Sequence, residues 1–289
     1  IYNELTGNTD DQSFSYRDHH GLLAPSDQAF QAFVDQYIAS EWGSIEKIPD
    51  EIKQLVVNTH MLNQGYYPSK ASGKSIKVGS GDRVTINQSD IIQKTFGSNC
   101  TFLGLNKTIV PRAFKSVAQP MYLTRNYQIM LYAVEETKVL SALKNPDADY
   151  SFYLPPDIGI GLGGDSSLFR QVIDKDRNLY VFQSYNRGRN VKQNISTYNL
   201  RQRILNQVGI STPQAPEANK EFIRTLGDNY IVVDHEHGTV RGTDQTTYGY
   251  NGDSTTTLIP KEYAGDMDNG KVYEVETWFN FNQRTFYTL

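Results

Sequence analysis

The most ligand-like side chains of this sequence are consecutive: Asp234, His235, Glu236 and His237. On a β-strand His235 and His237 would lie on one face, where two imidazoles could bind zinc. No third ligand is evident, and His237 followed by Gly238 favours a turn. The sequence therefore predicts an exposed hairpin tip here, with a metal site as the alternative.

A glycine run offers a second candidate site, because residues 159–164 match the pattern G-x-G-x-x-G. A dinucleotide site needs a strand directly before this pattern, a helix directly after it and an acidic residue about 20 positions further on. Here Pro155 and Pro156 intervene, and no parallel βαβ pattern surrounds the run. We expect a flexible loop rather than a nucleotide site.

The remaining reactive groups form no catalytic pattern. No serine lies in a G-x-S-x-G motif, and the sequence around Cys100 suggests no activation of its thiol. His19 and His20 would point to opposite sides of an extended chain. We therefore predict a protein that is not an enzyme, with no catalytic residue, no metal and no cofactor.

Composition narrows the class of partner. The chain has 289 residues, a net charge of −4 and a pI near 5.8, which argues against nucleic acid as the main ligand. Its single cysteine allows no intrachain disulfide. No apolar run approaches the roughly 20 residues that span a bilayer. Because the sequence opens at Ile1, an upstream targeting or lipid-anchor segment is compatible with it, and membrane association is expected only through such an anchor.

The elements that position these residues follow a repeated order. Residues 22–25 read as a strand ending at Pro25, after which Ser26 and Asp27 begin an amphipathic helix. Residues 150–157 repeat this strand–Pro–Asp pattern. Helical spacing also predicts helices over residues 49–65, 126–143, 200–209 and 216–227. Alternation predicts strands elsewhere, with an irregular insertion around residues 159–199, so we predict an α+β fold.

Three segments of the first half resemble the motifs of fasciclin-like domains. Residues 23–30 are similar to the opening strand followed by Ala-Pro-Thr-Asn/Asp-x-Ala-Phe, and residues 58–62 resemble the Tyr-His segment, with Thr59 in place of the Tyr. Residues 90–111 resemble the closing motif, which runs from Asp-Ile through a turn and an alternating strand to Pro.

The second half resembles the same family more loosely. Residues 154–157 stand for the opening motif, Gln207 stands in place of the His, and residues 269–276 match the closing strand. The resemblance implies domains at 1–111 and 112–280, followed at 281–289 by a tail or by the start of a further segment. Each domain would be a β-sandwich or wedge-shaped sheet with a helical layer.

The resemblance also implies a function. Such tandem domains are exported cell-surface or matrix proteins that bind macromolecules in adhesion, and the lack of disulfides together with the insertion resembles bacterial surface lipoproteins, on the outer-membrane or periplasmic face. Family members implicate the Tyr-His and Asp-Ile segments in receptor binding, which carries over to His60, Asp90 and Ile91. From its helical position alone, His60 is instead expected to be a buried neutral imidazole bonded to a backbone carbonyl.

Two other functions remain open. A glycan-binding accessory protein of a nutrient-uptake system is suggested by four aromatic residues of the second half, Tyr248, Tyr250, Tyr263 and Trp278. A metal-dependent hydrolase around His235 and His237 would need converging side chains in a pocket. The expected partner is thus an extracellular protein or glycan.

Overall fold

The computed structural model describes residues 20–162, 168–176, 179–186, 189–213, 219–236, 238–242, 257–258, 262–265, 267–276 and 278–279. The chain divides into two compact units, with the boundary between Arg112 and Ala113. Within the described residues, no helix is both long and apolar enough to cross a membrane.

The first unit contains six strands and four helices among its described residues. In chain order these are β1 (His20–Pro25), α1 (Asp27–Tyr37), α2 (Ala39–Trp42), α3 (Asp50–Thr59), β2 (Met61–Leu62), α4 (Pro68–Ala71), β3 (Ser75–Lys77), β4 (Arg83–Thr85), β5 (Ile91–Phe96) and β6 (Cys100–Leu105).

The main sheet of the first unit has the strand order β2-β1-β6-β5. β1 runs antiparallel to β2 and parallel to β6, with Leu23 opposite Leu103. Both leucines are fully buried and share one core with Ile76 of β3 and with Ile86. Two sheets of this unit therefore pack on a common core, as the predicted sandwich requires.

Helix α1 begins as predicted. The Ser26 hydroxyl accepts a hydrogen bond from Ala29 N–H at 3.3 Å, and Asp27 lies in the first turn, where it complements the helix dipole. Helix α3 buries the predicted stripe of Ile52, Leu55, Val56 and Thr59. It ends at Thr59 rather than at Gly65, because the chain then forms β2 beside β1.

The second unit is larger. Its described elements, in chain order, are α5 (Gln119–Leu123), α6 (Gln128–Thr137), α7 (Leu140–Leu143), β7 (Tyr150–Leu154), α8 (Asp157–Leu162), β8 (Leu168–Asp174), β9 (Leu179–Asn186), β10 (Val191–Asn194), α9 (Thr197–Asn206), β11 (Val208–Gly209), β12 (Lys220–Arg224), β13 (Tyr230–Asp234), β14 (Thr239–Gly242), β15 (Thr257–Leu258) and β16 (Gly270–Glu274).

A three-stranded sheet of order β11-β7-β16 forms the centre of this unit and repeats the arrangement around β1. β7 runs antiparallel to β11 and parallel to β16, as β1 does with β2 and β6. The flanking hydrogen bonds also correspond: Leu23 N–H donates to His60 O at 2.8 Å, and Tyr153 N–H donates to Gln207 O at 2.9 Å. The two units thus share one strand arrangement.

Another sheet of the second unit, β12-β13-β14-β15, packs against the β7 sheet. Tyr153 of β7, Ile231 and Val233 of β13, and Phe279 belong to one buried cluster. The predicted α+β class is therefore confirmed, since each unit combines helices with two sheets on a shared core.

Asn269 holds the start of β16 in place. Its side-chain oxygen accepts from Val117 N–H at 2.9 Å, and its amide donates to Leu143 O and Asn145 O at 2.8 and 2.9 Å. The residue is 1% exposed, and its backbone oxygen accepts from Tyr150 N–H. Next to it, Gly270 has φ +135°, and a Cβ there would lie 2.0 Å from Tyr150 O. A residue with a side chain would therefore separate β16 from β7.

Three predictions for the second unit are wrong. Within the segment expected to be helical over residues 216–227, Lys220–Arg224 form β12, because Phe222 and Ile223 pair with β13 across a sheet, and residues 216–218 lie outside the described residues. The insertion expected to be irregular contains helix α8 and the antiparallel sheet β10-β9-β8. In addition, the helix expected over 126–143 is broken at Lys138, which adopts φ 58°. The predicted tail at 281–289 lies outside the described residues.

Candidate functional site

An apolar groove of about 390 Å³ lies beside β1 in the first unit. β1 contributes one wall, Phe30 of α1 contributes a second, and Val56 and Val57 of α3 contribute a third. Lys53 is its single lining residue with a fixed charge, and His60 closes the end of the α3 wall. Such a lining suits apolar side chains of a ligand.

The border of the groove is unusually apolar for a surface. Leu22 is 43% exposed, Val57 is 54% exposed, and the neighbouring Met61 is 41% exposed. Leu22 and Met61 are direct partners across β1 and β2, so their side chains share one face. Adjacent exposed apolar side chains of this kind are typical of surfaces that bind other molecules.

His60 is a structural residue within this groove. It is 5% exposed, its Nδ1 lies 2.8 Å from Val56 O, and its Nε2 accepts from Ile109 N–H at 3.0 Å. These partners place the proton on Nδ1, and burial lowers the pKa of the imidazole, against a smaller opposite effect of the Val56 hydrogen bond. The expectation of a buried neutral imidazole bonded to a carbonyl is confirmed, and neither ring nitrogen is available as a general base.

The other two residues predicted from the family lie elsewhere. Ile91 begins β5, on the opposite edge of the sheet from β2, with β1 and β6 between them. The Asp90 carboxylate is 2.7 Å from Lys107 Nζ, and this hydrogen-bonded cation holds the pKa of Asp90 low. Neither Asp90 nor Ile91 lines the groove that includes His60, and their role in binding stays a prediction.

The second unit has a cleft of about 650 Å³ at the end of its central sheet, and this cleft is charged. Asp157 accepts hydrogen bonds from Gln128 N–H and Ile129 N–H at 2.9 and 2.8 Å, so it caps α6. Glu274 accepts from the Tyr127 hydroxyl. Both carboxylates thus stabilise the fold, although burial raises the pKa of Asp157.

Of the four aromatic residues proposed for glycan stacking, the structure describes Tyr263 and Trp278, and these two do not form an exposed pair. Trp278 is 1% exposed, so its assignment as a stacking ring is wrong; it belongs to the buried interior. Tyr263 is half-buried, and its N–H donates to Val272 O. Tyr248 and Tyr250 lie outside the described residues.

The histidine cluster lies at the predicted hairpin turn between β13 and β14. His235 Nε2 is 3.3 Å from Glu221 Oε2, while Glu236 accepts from the Asn219 amide at 3.0 Å. His237 lies outside the described residues. In the part of the chain that the structure describes, no three His, Cys, Asp or Glu side chains come together as metal ligands.

A flexible loop was expected over residues 159–164, but residues 159–162 belong to helix α8, so the prediction is wrong there, and residues 163–164 lie outside the described residues. Gly159 is required by packing, because a Cβ there would lie 1.8 Å from Glu276 O. His20 opens β1 and is exposed, whereas His19 lies outside the described residues. Cys100 is an exposed free cysteine at the start of β6.

Sequence reasoning missed the groove, although one signal was available. The buried stripe of α3 includes Val56 but leaves Val57 one position off the stripe. An apolar residue on the polar side of an amphipathic helix indicates an exposed contact. The walls that complete the groove, β1 and α1, depend on tertiary packing.

Of the comparisons with known proteins, the one with solved structures gives a match. No family model and no curated protein match the sequence. Among solved structures, the chain is similar to a FAS1 domain pair from the insect cell adhesion molecule fasciclin I. The two are 12% identical, with a TM-score of 0.37, over 91% of this chain and 88% of the other.

Proposed function

We propose that this protein is a non-catalytic binding protein of the adhesion type, which uses the apolar groove of its first unit to bind an extracellular protein. The observation that carries the proposal is the groove with its exposed border of Leu22, Val57 and Met61. Adjacent apolar side chains remain in water there, and a partner that covers them would gain the hydrophobic free energy of their burial.

The chemistry of the groove supports binding over catalysis. His60, the residue closest to a general base in this groove, has one nitrogen bonded to Val56 O and the other to Ile109 N–H. Lys53 is paired at 3.0 Å with Asp50, its neighbour on the helix. An acid–base mechanism needs a group that can exchange a proton with the substrate, and these side chains are already engaged.

The proposed location is outside the cell, at the cell surface, with an upstream lipid anchor as one means of attachment. The single cysteine fits a cytosolic protein as well as an exported one whose cores are large enough to fold without cross-links, so the proposed location rests on the resemblance to fasciclin-like domains. The outer-membrane or periplasmic face of a bacterium is the specific form of this proposal.

A binding array of purified matrix proteins and glycans, probed with the full chain, tests the function. We expect capture by at least one extracellular protein. Val57→Glu should reduce that capture by about tenfold or more, because a charge would enter the apolar border. Ile92→Glu is the matched control, since Ile92 is 61% exposed on β5, away from the groove.

Two results would contradict the proposal. If no protein on the array binds, the adhesion function is wrong. If Ile92→Glu and Val57→Glu reduce capture equally, the groove is not the binding site. Val57 is exposed, so the variant is expected to fold, and its thermal unfolding would be measured alongside.

The hydrolase hypothesis has little support in the geometry, because His235 lies in a hairpin turn with Glu221 as its partner. The glycan-binding hypothesis loses Trp278 as a stacking ring but is favoured by a different surface, the sheet of the insertion.

A further inference from the structure

The insertion of the second unit presents a three-stranded antiparallel sheet with two unlike faces. Leu168, Phe182 and Ser184 are buried and lie on the inner face. Residues directly opposite one another in an antiparallel sheet share a face, so the alternate residues form the outer face. Arg170, on the inner face, lies between the rings of Tyr132 and Tyr180, at 3.4 and 3.6 Å from their centroids. This contact holds the sheet against α6.

The outer face combines aromatic rings with amides. Phe169, Gln183 and Asn194 form a row across the three strands, and Gln183 Nε2 donates to Asn194 Oδ1 at 2.9 Å. Tyr185 and Lys192 form the next row, and Lys192 Nζ lies 3.8 Å from the centre of the Phe169 ring. Amides both donate and accept hydrogen bonds, which matches the paired hydroxyls of a sugar. An aromatic ring attracts the C–H bonds on the apolar face of a pyranose.

The charge of this region is opposite to that of the chain as a whole. Residues 168–203 contain eight of the 28 Lys and Arg but only two of the 32 Asp and Glu. These residues therefore carry a net charge of +6, whereas the whole chain carries −4. Lys192 lies on the outer face itself. Arg170 is on the inner face, so Lys192 is the cation that the described strands place on the outer face, and it favours a carbohydrate that carries an anionic group.

We infer that the outer face of the β8–β9–β10 sheet binds an acidic polysaccharide, one that carries carboxylate or sulfate groups. A sugar ring lies against Tyr185, Gln183 and Asn194 bond the hydroxyls, and Lys192, which lies over the Phe169 ring, pairs with the anionic group. This extends the proposed binding function to a second ligand on a separate surface.

A bilayer fits this region less well. The exposed aliphatic residues Ile173 and Leu179 lie near the turn that joins β8 to β9, next to Asp174 and Asp176. In the sequence these acids alternate with Lys175 and Arg177, so the turn has no net positive charge to attract anionic headgroups. The aromatic rings of the outer face are surrounded by amide side chains, whereas insertion into a bilayer needs a continuous apolar surface.

Isothermal titration of the full chain with polygalacturonate, heparin and neutral dextran tests the inference. We expect one acidic polymer to bind at least about tenfold more tightly than dextran, with an affinity that falls as salt rises. Lys192→Glu should weaken that binding by about tenfold or more, because it reverses the charge that pairs with the ligand. Asn194→Asp is the second variant, since it adds a negative charge to the same face with little change of shape.

Lys94→Glu is the matched control, because Lys94 is an exposed lysine on strand β5 of the other unit. An equal loss in Lys94→Glu and Lys192→Glu would overturn the inference, as would equal affinity for dextran. Binding to phosphatidylserine vesicles or duplex DNA without binding to either acidic polymer would also overturn it.

The two proposals can fail separately. Val57→Glu should leave polysaccharide binding unchanged, and Lys192→Glu should leave capture by the extracellular protein unchanged. Protein capture without polysaccharide binding would refute only the inference about the sheet. Polysaccharide binding without protein capture would refute only the role of the groove.

Discussion

The sheets around β1 and β7 are built on the same strand arrangement, but the residues that secure them differ. In the first unit His60 accepts from Ile109 N–H, beyond the closing strand. In the second unit Gln207 takes this place: with its amide oxygen toward Phe279, it accepts from Phe279 N–H at 2.9 Å and donates to Tyr153 O at 3.3 Å. An imidazole nitrogen in the first unit and an amide oxygen in the second thus accept a backbone N–H hydrogen bond at equivalent positions of the two sheets. The position requires an acceptor of suitable length, and not an imidazole in particular.

The turns that precede β6 in the first unit and β16 in the second differ more strongly. Asn99 O accepts from His20 N–H, just as Asn269 O accepts from Tyr150 N–H. The Asn99 side chain is exposed, however, whereas that of Asn269 is buried with three partners. The second unit has helices α5–α7 before strand β7. The Asn269 side chain hydrogen-bonds the backbone of the segments around these helices and so links them to the sheet.

The largest effect is expected for Asn269→Ala. Removing the amide leaves Val117 N–H, Leu143 O and Asn145 O without this partner in the interior, at a cost of about 3 kcal/mol or more. Asn99→Ala should change stability by less than about 0.5 kcal/mol, because that side chain is exposed. Urea unfolding of the full chain measures both. Equal effects of the two variants would show that the turns do not differ as described.

A smaller effect is expected at His60. His60→Ala should destabilise the first unit by about 2–3 kcal/mol, because it leaves Ile109 N–H unpaired and creates a cavity. His60→Gln should cost less than about 1 kcal/mol, since Gln207 supplies the acceptor in the second unit. Thermal unfolding distinguishes the two variants. If glutamine is as damaging as alanine, the equivalence of the two positions is refuted.

The smallest effect is a dependence of stability on pH that only the first unit should show at this position. The folded pKa of His60 is lowered from 6.5, so the neutral ring is favoured in the fold. Its stabilising contribution is complete above the unfolded value and is lost as pH falls below about 6.5, because the protonated Nε2 would face Ile109 N–H. The Tm of the wild type should therefore fall more steeply than that of His60→Gln between pH 7 and pH 5. Parallel curves would contradict this assignment.

The sequence was informative where local chemistry decides structure. Pro25, Ser26 and Asp27 mark the end of a strand and the cap of a helix, and the structure has both at these positions. The periodicity of α3 predicted its buried stripe for the same reason.

Tertiary pairing decided the rest. Phe222, Ile223 and Leu226 have a spacing compatible with a helix, yet β13 offers a pairing edge and the segment becomes β12. The N–H group that donates to His60 Nε2 belongs to Ile109, 49 residues further along the chain, and no local pattern predicts a contact over that distance. The insertion sheet was missed because its outer face is rich in amides, and this obscures the alternation of apolar residues.

The parallel pairing of opening and closing strands also fixes when each sheet can be completed. β1 meets β6 once residue 105 has been synthesised, since Pro25 pairs with Leu105. β7 is made by residue 154, but its parallel partner ends at Glu274. While the intervening 120 positions are translated, the edge of β7 that later pairs with β16 stays open. The first unit can therefore complete its sheet earlier, whereas the second unit has an unpaired strand edge that can form wrong pairings in the meantime.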